Sequence, residues 1–299
     1  MSFTTNQGAQ IYWDEEGDGE PLLLIMGLGF PSDMWFRTRP LLSTRFRTIA
    51  FDNRGVGRSD MPPGPYAIAM MASDAAAVLD ASGIESAHVY GVSMGGMIAQ
   101  EFALNYPGRV RSLVLGCTAP GGPHAVRAEP AVIEFLTSRS SNQEAAVEAS
   151  VPFVYDLGTA RELIDVDLNL RKQWLPKPQA YMAQLQGILM WEAYSRLDQI
   201  RVPTLVIHGE SDRLVPSANA KLIADRIAGA ELKLLPSAGH IFTTDQTEAA
   251  QEAILQFLIR QSGISTQNAN VEGHDVMFLP RSGYASKPRV ASTLGSSTN

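Results

Sequence analysis

Tyr90-Gly91-Val92-Ser93-Met94-Gly95-Gly96 is the stretch on which the reading of this 299-residue chain turns. Residues 87–90 are mostly apolar, aromatic or β-branched and read as a strand, while 94–105 read as a helix that Pro107-Gly108 stops. A G-x-S-x-G pentapeptide set between a strand and a helix holds its serine on a sharp, strained turn. The residues two before and two after that serine must then be small to avoid collision, which Gly91 and Gly95 satisfy, and Gly96 lets the helix pack closely. Ser93 is therefore expected at the positive end of a helix, with the Met94 amide free to bind developing negative charge.

On both sides of this turn short apolar runs alternate with amphipathic stretches, the pattern of a mostly parallel sheet covered by helices. Segments around Phe3 and Ile11 read as edge strands, and 21–26, 46–51, 110–115, 202–208 and 231–235 as further strands. Helical spacing marks 67–81, with Gly83 at its left-handed end, then 219–227, and finally a closing helix that carries Ala253, Ile254, Phe257 and Leu258. The rhythm breaks between 120 and 199, where strand-like runs give way to helix starts. Ser141 with Glu144, and Thr159 with Glu162, match the capping-box spacing. The expected architecture is α/β, an eight-stranded and mostly parallel sheet with helices on both faces. Its core spans 1–119 and 200–264, and a helical insertion spans 120–199. Residues 265–299, rich in Ser, Asn and Gly, read as a mobile tail.

Composition narrows the function classes. Apolar residues make up 45% of the chain and charged residues 18%, enough for a sizeable core,. A formal charge of −7 repels polyanions, so nucleic acid is not an expected partner,. The single cysteine, Cys117, rules out an intrachain disulfide and a Cys-rich metal site, and it reads as a buried thiol,. The first positive charge is Arg37, and the longest apolar stretch near the N-terminus, 22–30, is too short for a bilayer, so the chain reads as cytoplasmic with no membrane partner,. Neither a phosphate-binding G-x-x-x-x-G-K-[ST] nor clustered metal ligands occur, so neither cofactor nor metal is expected.

A serine hydroxyl is a poor nucleophile at neutral pH and needs a base, most often a histidine oriented by a carboxylate. Five histidines are available. His88 lies within a strand, His124 opens the insertion, His274 lies in the tail, and His208 ends a strand, where it reads as a hydrogen-bonded structural residue. His240 instead follows the last strand, in the loop Pro236-Ser237-Ala238-Gly239-His240, at the sheet edge where such loops gather. The carboxylate belongs between serine and histidine in chain order. Gly116-Cys117-Thr118-Ala119-Pro120 carries no acid, whereas Gly209-Glu210-Ser211-Asp212 offers two. Asp212 is the better candidate and Glu210 the reserve.

At this point residues 10–261 resemble the α/β-hydrolase superfamily. The resemblance rests on the serine turn, the order Ser93, Asp212, His240, the loop Asp52-Asn53-Arg54-Gly55-Val56-Gly57-Arg58-Ser59-Asp60, and the strand opening Val202-Pro203-Thr204. It implies a second oxyanion donor, the Leu28 amide, and a cap formed by the helical insertion. The family commonly has His-Gly where this chain has Met26-Gly27, a change that spares the backbone donor but removes an imidazole behind it. Candidate substrate-lining residues are Met26, Phe30 and Met97 near the serine, with Phe135, Phe153, Trp174, Tyr181 and Trp191 from the cap. The uncharged surroundings of the serine suit a neutral or apolar ester or lactone as the small-molecule partner.

Several activities share this machinery. Residues 52–60 and 91–96 are similar to arylesterases that double as cofactor-free perhydrolases, and Pro62-Pro63-Gly64-Pro65-Tyr66 is similar to enol-lactone hydrolases. Methyl esterases of polyketide pathways also fit, whereas a serine at position 93 argues against haloalkane dehalogenases. Of other classes, a ligand receptor with little turnover on the same fold stays open. A dinucleotide-binding reading of Gly27-Leu28-Gly29 lacks the third glycine, and Pro31 stands where a helix should present amides. The residues leave the oligomeric state undetermined.

Overall fold

The computed structural model describes residues 2–137 and 143–263. The expected tail over 265–299 and the helix start at Ser141 lie outside the described residues. Eight strands form a single sheet: β1 Ser2–Asn6, β2 Ala9–Glu16, β3 Glu20–Ile25, β4 Phe46–Phe51, β5 Ala87–Val92, β6 Val110–Gly116, β7 Thr204–Gly209 and β8 Glu231–Leu235. Their spatial order is β1-β2-β4-β3-β5-β6-β7-β8. β1 with β2, and β2 with β4, pair antiparallel, whereas every other pair is parallel. This is the mostly parallel eight-stranded α/β sheet expected from the apolar runs.

Strand β3 shows why those runs lack polar alternation. Successive side chains point to opposite faces, and both faces here are covered. Leu23 and Ile25 join a core beneath the helices Ile68–Ala81, Met94–Asn105 and Ala218–Arg226. Leu22 and Leu24 join the opposite core under Trp35 and the closing helix Thr247–Gln261. All four are fully buried, a gross contribution of roughly 6–12 kcal/mol at about 1.5–3 kcal/mol per side chain.

Between β6 and β7 the described chain is helical, with Pro130–Thr137, Gln143–Ala149, Val151–Val154, Arg161–Lys172 and Pro178–Leu189. Val147, Val154, Tyr155, Ile164 and Leu168 form a separate apolar cluster against which Leu214 and Ile241 pack. That cluster fastens the insertion to the loops that follow β7 and β8. The capping box expected at Thr159 is not formed. The helix begins at Arg161 after Ala160, with no side-chain cap, because the Thr159 hydroxyl donates to Asp245 Oδ1 at 2.6 Å instead. Among the described residues no helix is long and apolar enough to cross a membrane.

The loop 52–60 is a scaffold. Asp52 accepts from the amide and hydroxyl of Ser32 and from the Arg58 guanidinium. Arg54 and Asp74, both buried, meet in a two-pronged ion pair at 2.7 and 2.6 Å.

Candidate active site

Parallel strands bring their carboxyl ends to one edge, and the candidate residues gather there. Ser93 follows β5 directly, and its amide donates to Gly116 O at the end of β6. Its backbone sits at φ 56° and ψ −123°, a region that costs a non-glycine residue about 1–3 kcal/mol and persists only where the surroundings enforce it. The surroundings are tight. A Cβ on Gly91 would overlap Gly95 O, and one on Gly95 would overlap the carbonyl of Ile25.

The loop 26–30 lies beside this turn. A Cβ on Gly27 would stand 3.1 Å from Ser93 Cβ and 3.6 Å from Ser93 Oγ. Asn53 Nδ2 donates to Met26 O at 2.8 Å, and Gln184 Oε1 accepts the Gly29 amide at 2.9 Å while its Nε2 donates to Arg54 O. The loop is thus held from both sides, by the β4 loop and by the inserted helix Pro178–Leu189. No hydrogen bond among the described residues uses the amide of Leu28 or of Met94. One idle donor thus lies in the loop beside the serine turn and the other directly follows Ser93 in the chain.

Asp212 and His240 come from the loops after β7 and β8. Asp212 Oδ1 accepts the amides of Leu214 and Val215 at 2.9 and 2.8 Å. Its Oδ2 accepts from His240 Nδ1 at 2.7 Å and from His208 Nε2 at 3.0 Å. Burial pushes this carboxyl up, but the pull of His240 and the bonds from both imidazoles outweigh that and hold it below the usual carboxylate range,. Because Nδ1 of His240 is spent on a carboxylate, its proton resides there and Nε2 keeps a lone pair for a hydroxyl. Phe242, two residues on, packs with Val92 over Gly116, so the residues flanking His240 and Ser93 share one contact. Among the described residues Ser93 Oγ has no hydrogen-bond partner, and catalytic hydrogen bonds of this kind often tighten only around bound substrate,.

His208 was read as a strand-end structural histidine, and it is hydrogen-bonded and fully buried. Its partner is the candidate acid itself. Since Nε2 faces both Asp212 Oδ2 and Val215 O, at 2.8 Å, it carries the proton, and buried Nδ1 has no partner. Glu210 is exposed, and its amide bonds Leu235 O. Asp245 escaped the sequence reading. It accepts the Gly239 amide at 2.6 Å and thereby shapes the histidine loop, while burial pushes its carboxyl up to about 6.

The candidate lining residues fall into two groups. Tyr181 stands over Gly29, Phe30 lies beneath the Arg171 guanidinium, and Met26 and Met97 are buried beside the serine turn in opposite cores. Phe135 and Phe153 stack on each other with ring centres 5.2 Å apart. Trp174 covers Arg58, the scaffold arginine on Asp52, and the Trp191 indole donates to Glu101 Oε2 at 2.8 Å. Both tryptophans are therefore held by the scaffold. Gln184 and Asp245 carry no local motif, and Asn53 stands in the 52–60 loop without a role assigned to it; pairing across the fold is what brings all three to the candidate site. Cys117 is buried, and burial pushes its thiol far up, as fits an inert sulfur,.

Residues 20–245 match a family model described as alpha/beta hydrolase fold. RutD of Azorhizobium caulinodans, whose given name assigns it carbamate hydrolysis, is 33% identical over 261 residues, covering 86% of this chain and 98% of that protein. The poly(3-hydroxyalkanoate) depolymerase of Ectopseudomonas oleovorans is 35% identical over 244 residues, covering 80% and 84% respectively. Among solved structures, the enol-lactonase of Burkholderia xenovorans superposes with a TM-score of 0.76 at 25% identity, over 86% of this chain and 99% of that one.

Proposed function

Since the chain belongs to the α/β-hydrolase family, we propose that it is a serine hydrolase of carboxylic esters or lactones with Ser93, His240 and Asp212 as its triad. The observation that carries this reading is the 2.7 Å bond from His240 Nδ1 to Asp212 Oδ2. It leaves Nε2 as an acceptor at the sheet edge where Ser93 and two idle amides stand. His240 takes the serine proton as Ser93 Oγ attacks the carbonyl carbon, Asp212 stabilises the imidazolium, and the Leu28 and Met94 amides hold the oxyanion. His240 then returns the proton to the leaving alkoxide, and water repeats the sequence on the acyl-enzyme. A lactone yields the hydroxy acid without a separate leaving group. The helices between 120 and 199 serve as the cap, and no cofactor takes part.

Ser93→Ala tests this. It should lower 4-nitrophenyl ester hydrolysis by about 10⁶-fold and abolish labelling by a fluorophosphonate. Turnover at the wild-type level would refute the assignment, and a folded wild-type protein that neither reacts nor turns over would favour the receptor reading.

A further inference from the structure

The arginines of the core, wholly or half withdrawn from water, keep carboxylate company. Arg37 pairs with Asp167, Arg54 with Asp74, and Arg58 with Asp52 and Asp33. Arg171 does not. It lies on the inserted helix Arg161–Lys172, and among the described residues no carboxylate pairs with it. Its one hydrogen bond among the described residues runs from Nη1 to Ser150 Oγ at 3.0 Å, and its guanidinium lies 4.4 Å above the Phe30 ring. Burial pulls its pKa down, and the titratable groups near enough to act on it are the phenols of Tyr155 and Tyr181, which carry no charge while protonated. A half-buried cation that no carboxylate neutralises is costly unless something else supplies the charge,.

Its position says where that charge would come from. Phe30 belongs to the loop 26–30, in which Gly27 abuts Ser93, and Tyr181 covers Gly29 of the same loop. Ser150 and Tyr155 bracket the helix Val151–Val154, whose last carbonyl accepts the Ile241 amide at 2.9 Å, one residue beyond His240. Arg171 thus touches both walls between which the serine and the imidazole stand, the oxyanion-loop wall through Phe30 and the histidine-loop wall through Ser150. Among the described residues neither wall pairs it with an acid, since Asp212 and Asp245 are engaged by the histidine loop itself.

We propose that Arg171 is a specificity residue that receives a carboxylate at the far end of the acyl chain, so that the preferred substrates are esters or lactones of dicarboxylic acids. The proposal rests on the reading of Ser93 as nucleophile. It departs from the neutral ester suggested by the residues next to the serine, because those residues describe only the reacting end of the substrate. An incoming carboxylate would accept from the guanidinium two N–H groups in the planar fork that arginine presents, with the Phe30 face closing the other side.

The test compares wild type with Arg171→Gln and Arg171→Lys on 4-nitrophenyl hexanoate and mono-4-nitrophenyl adipate, which match in acyl length and differ in the terminal charge. Wild type should favour the adipate ester at least tenfold in kcat/KM. Arg171→Gln should lose at least tenfold on that ester, mostly through KM, while staying within threefold on the hexanoate, and Arg171→Lys should fall between. A wild-type preference for the hexanoate, or an equal loss on both esters, overturns the proposal. If folded wild type cleaves neither ester, the nucleophile reading fails and adipate binding by calorimetry decides the anion site alone. Binding that Arg171→Gln weakens tenfold or more supports it, and absent or undiminished binding overturns it.

Discussion

Asp212→Asn separates the chemistry of the site from its architecture. Four donors converge on this carboxylate, two backbone amides on Oδ1 and two ring nitrogens on Oδ2. An asparagine has one acceptor atom to offer them. If its oxygen stays with the amides of Leu214 and Val215, its NH2 group faces His240 Nδ1. His208 can keep Val215 O, but the described structure gives His240 Nδ1 no other acceptor, so that ring moves its proton to Nε2. A ring in that tautomer cannot take the serine proton, a change that costs about 10⁴ in kcat, or ~5.4 kcal/mol at about 1.36 kcal/mol per decade. If the amide flips, the two backbone amides lose their partner, at about 1–3 kcal/mol of stability each. Staying is the cheaper course for folding, so a folded protein with nearly normal stability and activity down about 10⁴-fold is expected. Steady-state hydrolysis of 4-nitrophenyl acetate is read against Ser93→Ala as the floor, alongside a urea unfolding curve. A variant within tenfold of wild-type kcat and unchanged in stability would refute the tautomer argument, because Asp212 would then be a structural cap on Leu214 and Val215.

Two further outcomes follow from the loops around the triad. Asp245, its carboxyl raised to about 6 by burial, binds a proton more tightly folded than unfolded. Its contribution to stability is full below about pH 4 and is lost as pH rises through about 6. Asp245→Asn should flatten that part of the urea-midpoint profile between pH 4 and 7, and a profile identical to wild type would count against it. His208→Phe removes a donor that helps hold the Asp212 carboxyl down. The low-pH limb of kcat should move upward and stability should fall by about 1–3 kcal/mol. His208→Gln should restore much of both, and an unmoved limb would reduce His208 to a packing residue.

The sheet was legible because burial on both faces writes an unbroken apolar run, and Leu22–Ile25 is such a run with every side chain out of water. The helix Met94–Asn105 was legible to the residue, since Gly91, Ser93 and Gly95 announce its start and Pro107 its end. Thr159 failed as a cap because a hydroxyl bonds the acceptor within reach, and Asp245 lies 86 positions away in sequence. Trp174 and Trp191 lie in the cap segment that suggests lining residues, and what they touch, Arg58 and Glu101, lies outside that segment.

Chain order and local chemistry alone thus determined the architecture and singled out a serine, an acid and a histidine on loops at one edge, since turns, strand periods and strained elbows are written within a few residues. Only the tertiary structure decided that His208 shares the Asp212 carboxylate, that Gln184 pins Gly29 from 155 positions away, and that Arg171 has no counter-ion among the described residues. Those outcomes depend on which side chains are desolvated together, and desolvation is a property of the packed chain that no local pattern carries.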